Sequence, residues 1–421
     1  MLGSLRERFA DAAERRWAFP LAALVTVVVT LYSLLPLKDL VRGWSDFAFV
    51  YAAGKTWLTG VVPYDVVAWR GQWVHVHPSF LGATPSEITP PTAPYMYPPH
   101  MAFFAVPLGL ANWPLACRLW DLVNVASYAG ILFILLRWLR QSQSFSLRDP
   151  GVWLVVAAAT ANGAVRWTFF EGQMCMVPLL GVVGAFWAWH QKRDNWVAAF
   201  AFLAALKPQI GFLPLAYLCL LGGFRGVVRG ALATLLVTAI ALIHVDLGEL
   251  PAQLAESYRL HMDIGFNAPG EFFSLSSLLA SLGPLASVTL LFGPLLALGF
   301  AAVHFRLRQQ RAPELVSPLW HAAIACALTA AFVPLHGYDL VILTPLVFAA
   351  YTLRPGWLGA SIVLLVAFAS RAPVLGDKLG VGTLGPVFTL LLVLLTCGAW
   401  LRDARGALRA RPDNGAAPAA V

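Results

Sequence analysis

Charge is what this chain has least of. Asp, Glu, Lys and Arg make up only 12% of it against 59% hydrophobic residues, and the mean hydropathy is +0.71. A soluble domain carries about 25% charged residues, so this composition excludes a water-soluble globule and specifies an integral membrane protein. Cysteine is scarce too. The five residues Cys117, Cys175, Cys219, Cys326 and Cys397 stand apart inside apolar runs with no CxxC pair, which excludes a disulfide framework and leaves them as small buried hydrophobes. No Asn-x-Ser/Thr sequon occurs, consistent with a bacterial protein. His75, His77 and His100 have no carboxylate or cysteine at ligand spacing among them, so no metal or other cofactor is expected.

What is present is a succession of apolar runs. A membrane-spanning helix needs roughly 20 apolar residues, and suitable runs lie near 19–37, 114–136, 151–165, 174–189, 196–207, 209–223, 227–245, 283–304, 317–334, 338–353, 356–372 and 381–400. The expected fold is all-α, a polytopic membrane protein of about 10–13 transmembrane helices. Residues 1–18 form a basic N-terminus, 19–401 the transmembrane domain, and the charged Pro/Ala-rich stretch 402–421 a disordered tail. The first apolar run lacks an obvious cleavage site and reads as a retained span.

Cations orient such a chain, because short cytoplasmic loops collect Lys and Arg. With both termini cytoplasmic, 19 of the 29 basic residues fall inside, whereas Asp46, Glu171, Glu271 and Asp339 are among the acidic residues that fall outside. The net charge of +8 is then an orientation signal, with attraction to anionic lipid as a by-product and no indication of nucleic-acid binding.

Three groups of polar residues face the expected extracytoplasmic side. The first is a long loop, 38–113, that opens a few residues before Asp46. Phe47, Val50, Tyr51, Gly54, Trp57 and Leu58 follow at helical spacing and predict an interfacial helix ended by Gly60, with a turn at Pro63-Tyr64-Asp65 and a second apolar segment at Met101–Leu110. A carboxylate at the water edge of a bilayer is costly and usually functional, although Asp46 also suits a helix N-cap. The second group is Arg166-Trp167-Thr168-Phe169-Phe170-Glu171-Gly172-Gln173, with Lys207-Pro208-Gln209 at a later turn. Arg166 can be an interfacial anchor and Lys207 a snorkelling lysine. The third is His336-Gly337-Tyr338-Asp339, where a His beside an Asp can be a capping pair.

The order Asp-Phe, Tyr-Ala-Ala, Pro-Tyr-Asp, Tyr-Pro-Pro, Glu-Gly-Gln, Lys-Pro and His-Gly-Tyr-Asp resembles glycosyltransferase family 87 over roughly residues 20–400. The resemblance implies a GT-C-type membrane enzyme that takes its sugar from a polyprenyl-phosphate donor, with several alpha-mannosyltransferases in the family. Carried across by motif, the essential carboxylate falls on Asp46. Other recurrent motifs fall on Tyr97-Pro98-Pro99, Gly172-Gln173, Lys207 and His336. The stretch between Asp65 and Tyr97, with His75, His77 and Glu87, is longer than usual for the family, so acceptor contacts there are not carried over.

The chemistry fits those residues. Hydrolysing a glycosidic bond takes two carboxylates, but a lipid phosphate is already a good leaving group. One base for the acceptor hydroxyl and a few donors on the departing phosphate then suffice. Asp46 is the expected base, and His336 a second catalytic residue whose role as base, phosphate ligand or partner of Asp339 stays open. Lys207 and Arg166 are expected at the donor phosphate. Tyr51, Tyr64, Tyr97, Gln173 and Asp339 are candidates for substrate binding, with packing and turn roles the first reading for Tyr95 and Tyr97. The absence of a Gly-rich nucleotide loop agrees with a lipid-linked donor. The expected function is transfer of a hexose, mannose by resemblance, from a polyprenyl-phosphate-sugar to a glycolipid or glycan acceptor at the outer face of a plasma membrane, with inversion. Arabinosyl or glucosyl transfer is the near alternative. A transporter or flippase for lipid-linked sugar is the distant one, though no internal repeat supports it.

Overall fold

The computed structural model describes residues 18–35, 46–75, 94–143, 148–264, 272–279, 288–309, 317–353, 356–369, 371 and 384–409. Among them every regular element is helical. The helices of eight residues or more run, in chain order, α1 Ala18–Leu34, α2 Phe47–Leu58, α3 Ala102–Leu110, α4 Trp113–Gln143, α5 Pro150–Thr160, α6 Gly163–Glu171, α7 Met176–His190 and α8 Asp194–Ala205. They continue as α9 Pro208–Leu218, α10 Phe224–Ala241, α11 Leu250–Met262, α12 Phe292–Gln309, α13 Pro318–Phe332, α14 Thr344–Tyr351, α15 Gly356–Ala369 and α16 Leu384–Arg409.

Four stretches are long and apolar enough to cross a membrane: 113–141, 208–241, 288–307 and 384–405. The second is interrupted where Gly222 takes φ 102°, which separates α9 from α10. Side chains such as Leu21, Leu24 and Leu31 on α1 and Leu232, Leu235 and Ile240 on α10 are exposed, as a lipid-facing surface requires. The protein is an all-α membrane protein.

Several of the expected spans are shorter than a bilayer is thick. The runs near 151–165, 174–189 and 196–207 become α5, α7 and α8, of 11, 15 and 12 residues. They stop because the chain supplies its own terminators. Asn162 Oδ1 accepts from Ala164 N at 3.1 Å and starts α6, Gly172 ends α6 in the left-handed region at φ 62°, and Lys207 sits at φ −131° just before Pro208. Irregular backbone at membrane depth is tolerated where protein surrounds it, and the breaks at Gly172 and Lys207 lie beside the buried polar residues described below. At the C-terminal end α16 carries on to Arg409, into the segment expected to be disordered, because its apolar run passes into helix-compatible Arg and Ala residues. The rest of that tail, the N-terminal residues 1–17, His77, Glu87 and Glu271 lie outside the described residues.

Buried apolar side chains form two clusters. The larger centres on α13, all 15 residues of which are buried, as expected of a helix that is apolar all round. The smaller contains α2, α3, the start of α4 and the loop residues Tyr64 and Tyr95. In it α2 differs from the expected interfacial helix: eight of its 12 residues are buried, so it is enclosed by protein on most sides. Phe47 stacks between Trp113 and Trp120 at 5.5 and 5.3 Å. Gly54 is pressed onto the backbone of Ala105, and a Cβ on Gly109 would meet Gly54 C at 2.7 Å. Glycines at this crossing are what let α2 and α3 touch backbone to backbone.

Candidate active site

The breaks between helices converge on one polar network. Asp46 immediately precedes α2, but its side chain makes no capping hydrogen bond to that helix. Instead Oδ2 accepts from Gln173 Nε2, a residue 127 positions away. Gln173 lies in the linker between α6 and α7, which is fixed by two bonds: Gln173 N donates to Thr168 O at 3.0 Å, and Trp120 Nε1 donates to Gly172 O at 2.7 Å. The left-handed Gly172 makes this helix ending possible.

The other end of the Gln173 amide is also engaged. Its Oε1 accepts from Lys207 Nζ at 3.2 Å and from Tyr97 OH at 3.3 Å. Lys207 in turn pairs with Asp339 Oδ1 at 2.5 Å and reaches Cys175 Sγ at 3.3 Å, and the Cys175 thiol donates to the same Asp339 oxygen at 3.1 Å. The second oxygen of Asp339 accepts from His336 N at 3.1 Å. Lys207 is 4% exposed and Asp339 0%, so this pair sits in a medium where a charge without a partner is very costly. The Tyr338 ring covers the ammonium at 4.8 Å. Gly337 leaves room for this turn: a Cβ there would meet the Trp167 ring at 2.7 Å.

Asp46 differs from the pair beneath it. It is half-buried, and its Oδ1 takes no hydrogen bond from the described residues. Burial, then the charge of Glu171, push its carboxyl up to about 7, with Lys207 pulling it down and Asp339 adding to the rise. Glu171 accepts from Trp167 Nε1 at 3.2 Å, and burial raises its carboxyl as well. His336 packs against Phe272 at 4.8 Å, and burial holds its imidazole below the usual histidine value. At neutral pH that ring is neutral and offers one N–H.

Asp46, Tyr97, Gln173, Lys207 and Asp339 are thus linked directly, with His336 joined through its backbone. Tyr64 stands one step away, its hydroxyl donating to Tyr97 O at 2.6 Å while its own carbonyl accepts from Ser257 Oγ of α11 at 3.2 Å. Tyr51 and Arg166 lie outside the network. The Tyr51 hydroxyl is spent on Ala111 O at 2.9 Å, inside the smaller apolar cluster. The Arg166 guanidinium donates to Tyr32 O at 2.8 Å and lies over the Tyr32 ring at 4.2 Å, tying α6 to α1. Cys175 and Glu171 belong to the site although the sequence reading gave neither a role there. A thiol in an apolar run gives no signal, whereas Glu171 could have been found by its position in the Glu-Gly-Gln turn. Among the described residues no group of three or more His, Cys, Asp or Glu side chains could hold a metal ion.

A helical membrane protein whose helices break around a half-buried carboxylate, an amide and a buried ion pair has the makings of a membrane enzyme. The family model of glycosyltransferase family 87 matches residues 95–335, more than half of the chain, and the chain belongs to that family. It is a membrane glycosyltransferase. The matched stretch holds Tyr97, Gln173, Cys175 and Lys207, begins after Asp46 and stops one residue short of His336. Searches of curated proteins and of solved structures returned no match.

Proposed function

We propose that this glycosyltransferase moves a hexose, mannose in the first instance, from a polyprenyl-phosphate-sugar to a glycolipid or glycan hydroxyl, with Asp46 as general base. The observation that carries the reading is the asymmetry of the Asp46 carboxylate: one oxygen is held by Gln173, the other takes no hydrogen bond from the described residues, and burial with the charge of Glu171 pushes the group up to about 7. A general base works best when its pKa lies near the working pH.

In the reaction the acceptor oxygen attacks the anomeric carbon from the face opposite the phosphate. The bond from that carbon to the phosphate oxygen breaks, and the lipid phosphate leaves with the electron pair. The acceptor proton passes to Asp46 Oδ1. This is a single displacement and inverts the anomeric centre. The departing phosphate needs hydrogen-bond donors rather than an acid, and the His336 imidazole and the Arg166 guanidinium, which has N–H groups besides the one bound to Tyr32, are proposed for that role. No cofactor takes part in this scheme. The excess of basic residues in the expected cytoplasmic loops supports an extracytoplasmic site in a GT-C-type protein of the plasma membrane, with both termini inside.

The test is transfer of label from radiolabelled polyprenyl-phosphate-mannose to a glycan or lipid extract by the purified protein in liposomes, beside Asp46→Asn. Label entering a new product with wild type and not with Asp46→Asn supports the reading. Full transfer by Asp46→Asn removes Asp46 from the mechanism, and failure with mannose, arabinose and glucose donors alike favours a lipid-linked sugar transporter.

A further inference from the structure

Lys207 has no hydrogen left to offer a substrate. An ammonium group carries three N–H bonds and accepts none, and three protein acceptors surround this one: Asp339 Oδ1 at 2.5 Å, Gln173 Oε1 at 3.2 Å and Cys175 Sγ at 3.3 Å. The Tyr338 ring covers it from a further direction at 4.8 Å, and the side chain is almost wholly enclosed. A donor phosphate could reach the nitrogen only by displacing one of these partners. That is a different situation from the phosphate-binding or snorkelling cation that the sequence suggests.

We infer that Lys207 is a positioning residue that fixes the side-chain amide of Gln173 and, through it, the reactive orientation of Asp46. The inference rests on the reading of Asp46 as the base. An amide presents an oxygen on one side and an NH2 on the other, and the two can exchange by a half-turn. Lys207 can only donate, so the oxygen must face it, and Tyr97 OH adds a second donor on the same oxygen. The NH2 is thereby turned towards Asp46, occupies Oδ2 and leaves Oδ1 for the acceptor hydroxyl. Asp339 holds Lys207 in place and is itself held by His336 N and the Cys175 thiol.

Without the ammonium, the amide loses the partner that forbids the half-turn. A turned amide brings oxygen against oxygen at Asp46, a contact relieved by protonating the carboxylate. The charges facing Asp46 work in the same direction. Glu171 at the end of α6 and Asp339 in the turn after His336 both favour its protonated form, and Lys207 opposes them. Loss of Lys207 therefore removes active base and leaves donor binding largely alone.

The test measures kcat, donor KM and the pH profile of transfer from polyprenyl-phosphate-mannose by the full-length protein in liposomes. Gln173→Glu keeps an oxygen for Lys207 and Tyr97 but replaces the donor facing Asp46, and it leaves the ion pair intact. Lys207→Met combined with Asp339→Asn removes both buried charges together, so that neither is stranded. Size-exclusion profiles and unfolding temperatures report folding. The expected result is a fall in kcat of about tenfold or more at pH 7 in both variants, with donor KM within about threefold of wild type and the acid limb moved upward, by about one pH unit in Gln173→Glu and by less in Lys207→Met/Asp339→Asn, where two opposing charges go together. Adding Gln173→Glu to the double variant should cost little more, because both changes break one relay. A donor KM raised about tenfold with kcat and the acid limb unchanged in Lys207→Met/Asp339→Asn overturns the inference and makes Lys207 a phosphate ligand. Fully active Asp46→Asn, run alongside, would instead fell the reading of the base, so the two failures are distinct.

Discussion

Replacing Asp46 by asparagine should stabilise the protein while removing its activity. Burial and the nearby charge of Glu171, with Lys207 opposing, hold the Asp46 carboxyl at about 7 where an unperturbed one would sit at 3.8. A carboxyl with a raised pKa binds its proton more tightly in the folded state, so its ionisation weighs against folding. That penalty is absent below the unfolded value, grows as pH rises from about 4 to about 7, and is complete above the folded value. A displacement of about three pH units corresponds to at most about 4 kcal/mol, at ~1.4 kcal/mol per unit. Asp46 is partly open to solvent, and screening reduces this to roughly 1–2 kcal/mol. Asparagine retains an oxygen for Gln173 Nε2 and carries no charge. Thermal unfolding followed by tryptophan fluorescence at pH 5 and pH 8, with transfer measured in parallel, reads both effects. The variant should unfold a few degrees higher at pH 8, with a smaller gap at pH 5, and transfer no sugar. A variant that is less stable than wild type at pH 8, by an amount independent of pH, would refute the reasoning.

Wild-type transfer should lose activity on the acid side with a midpoint near 7, because a protonated Asp46 cannot accept a proton; Glu171→Gln should lower that midpoint, and a midpoint that stays in place means Glu171 does not act on Asp46. Gly54→Ala puts a Cβ into the Ala105 backbone at the α2–α3 crossing and should cost about 1–3 kcal/mol of stability and most of the activity, since α2 carries Asp46; wild-type melting and turnover would show that the crossing can open. Asp339→Asn strands the Lys207 ammonium in the interior and should cost about 3–5 kcal/mol, measured as the rate of thermal inactivation, whereas Lys207→Met/Asp339→Asn should recover much of that loss.

Composition defines a membrane protein and the length of its apolar runs an all-α one, and the motif order points to the family that the matched residues 95–335 establish. The helix-breaking residues were legible as well, since Gly172, Pro208 and the His-Gly-Tyr-Asp turn all stand where helices end or begin. What the sequence conceals is pairing over distance. Asp46 and Gln173 are 127 positions apart and Lys207 and Asp339 are 132 apart, and no periodicity records which polar groups meet across a bundle. Local spacing also overstated some side chains. Tyr51 sits at the right interval on α2, yet packing turns its hydroxyl to Ala111 O. Arg166 likewise has one guanidinium N–H taken by Tyr32 O of α1, so that only its others serve the proposed phosphate. Cys175 looks like any other small apolar residue, and only the fold reveals it between a lysine and an aspartate. The helix lengths differed from expectation because a hydropathy window averages across breaks that caps and left-handed glycines make sharp.

The two apolar clusters meet within a few residues of the chain. Met174 and Val177 pack in the smaller cluster with α2, whereas Cys175 and Met176 pack in the larger one around α13, and Leu206 on the smaller side adjoins Lys207. Asp46 rides with the smaller body, Asp339 with the larger, and the Gln173 amide is the clasp between them. Helices α4 and α7 each contribute residues to both clusters, so the two well-filled interiors are stapled together at this seam and resist deformation there. A shift of about one ångström at the seam would unclasp Asp46 only by disturbing helices that both interiors share, which makes alignment of the base a property of how the two clusters pack together and leaves either one alone without a working site.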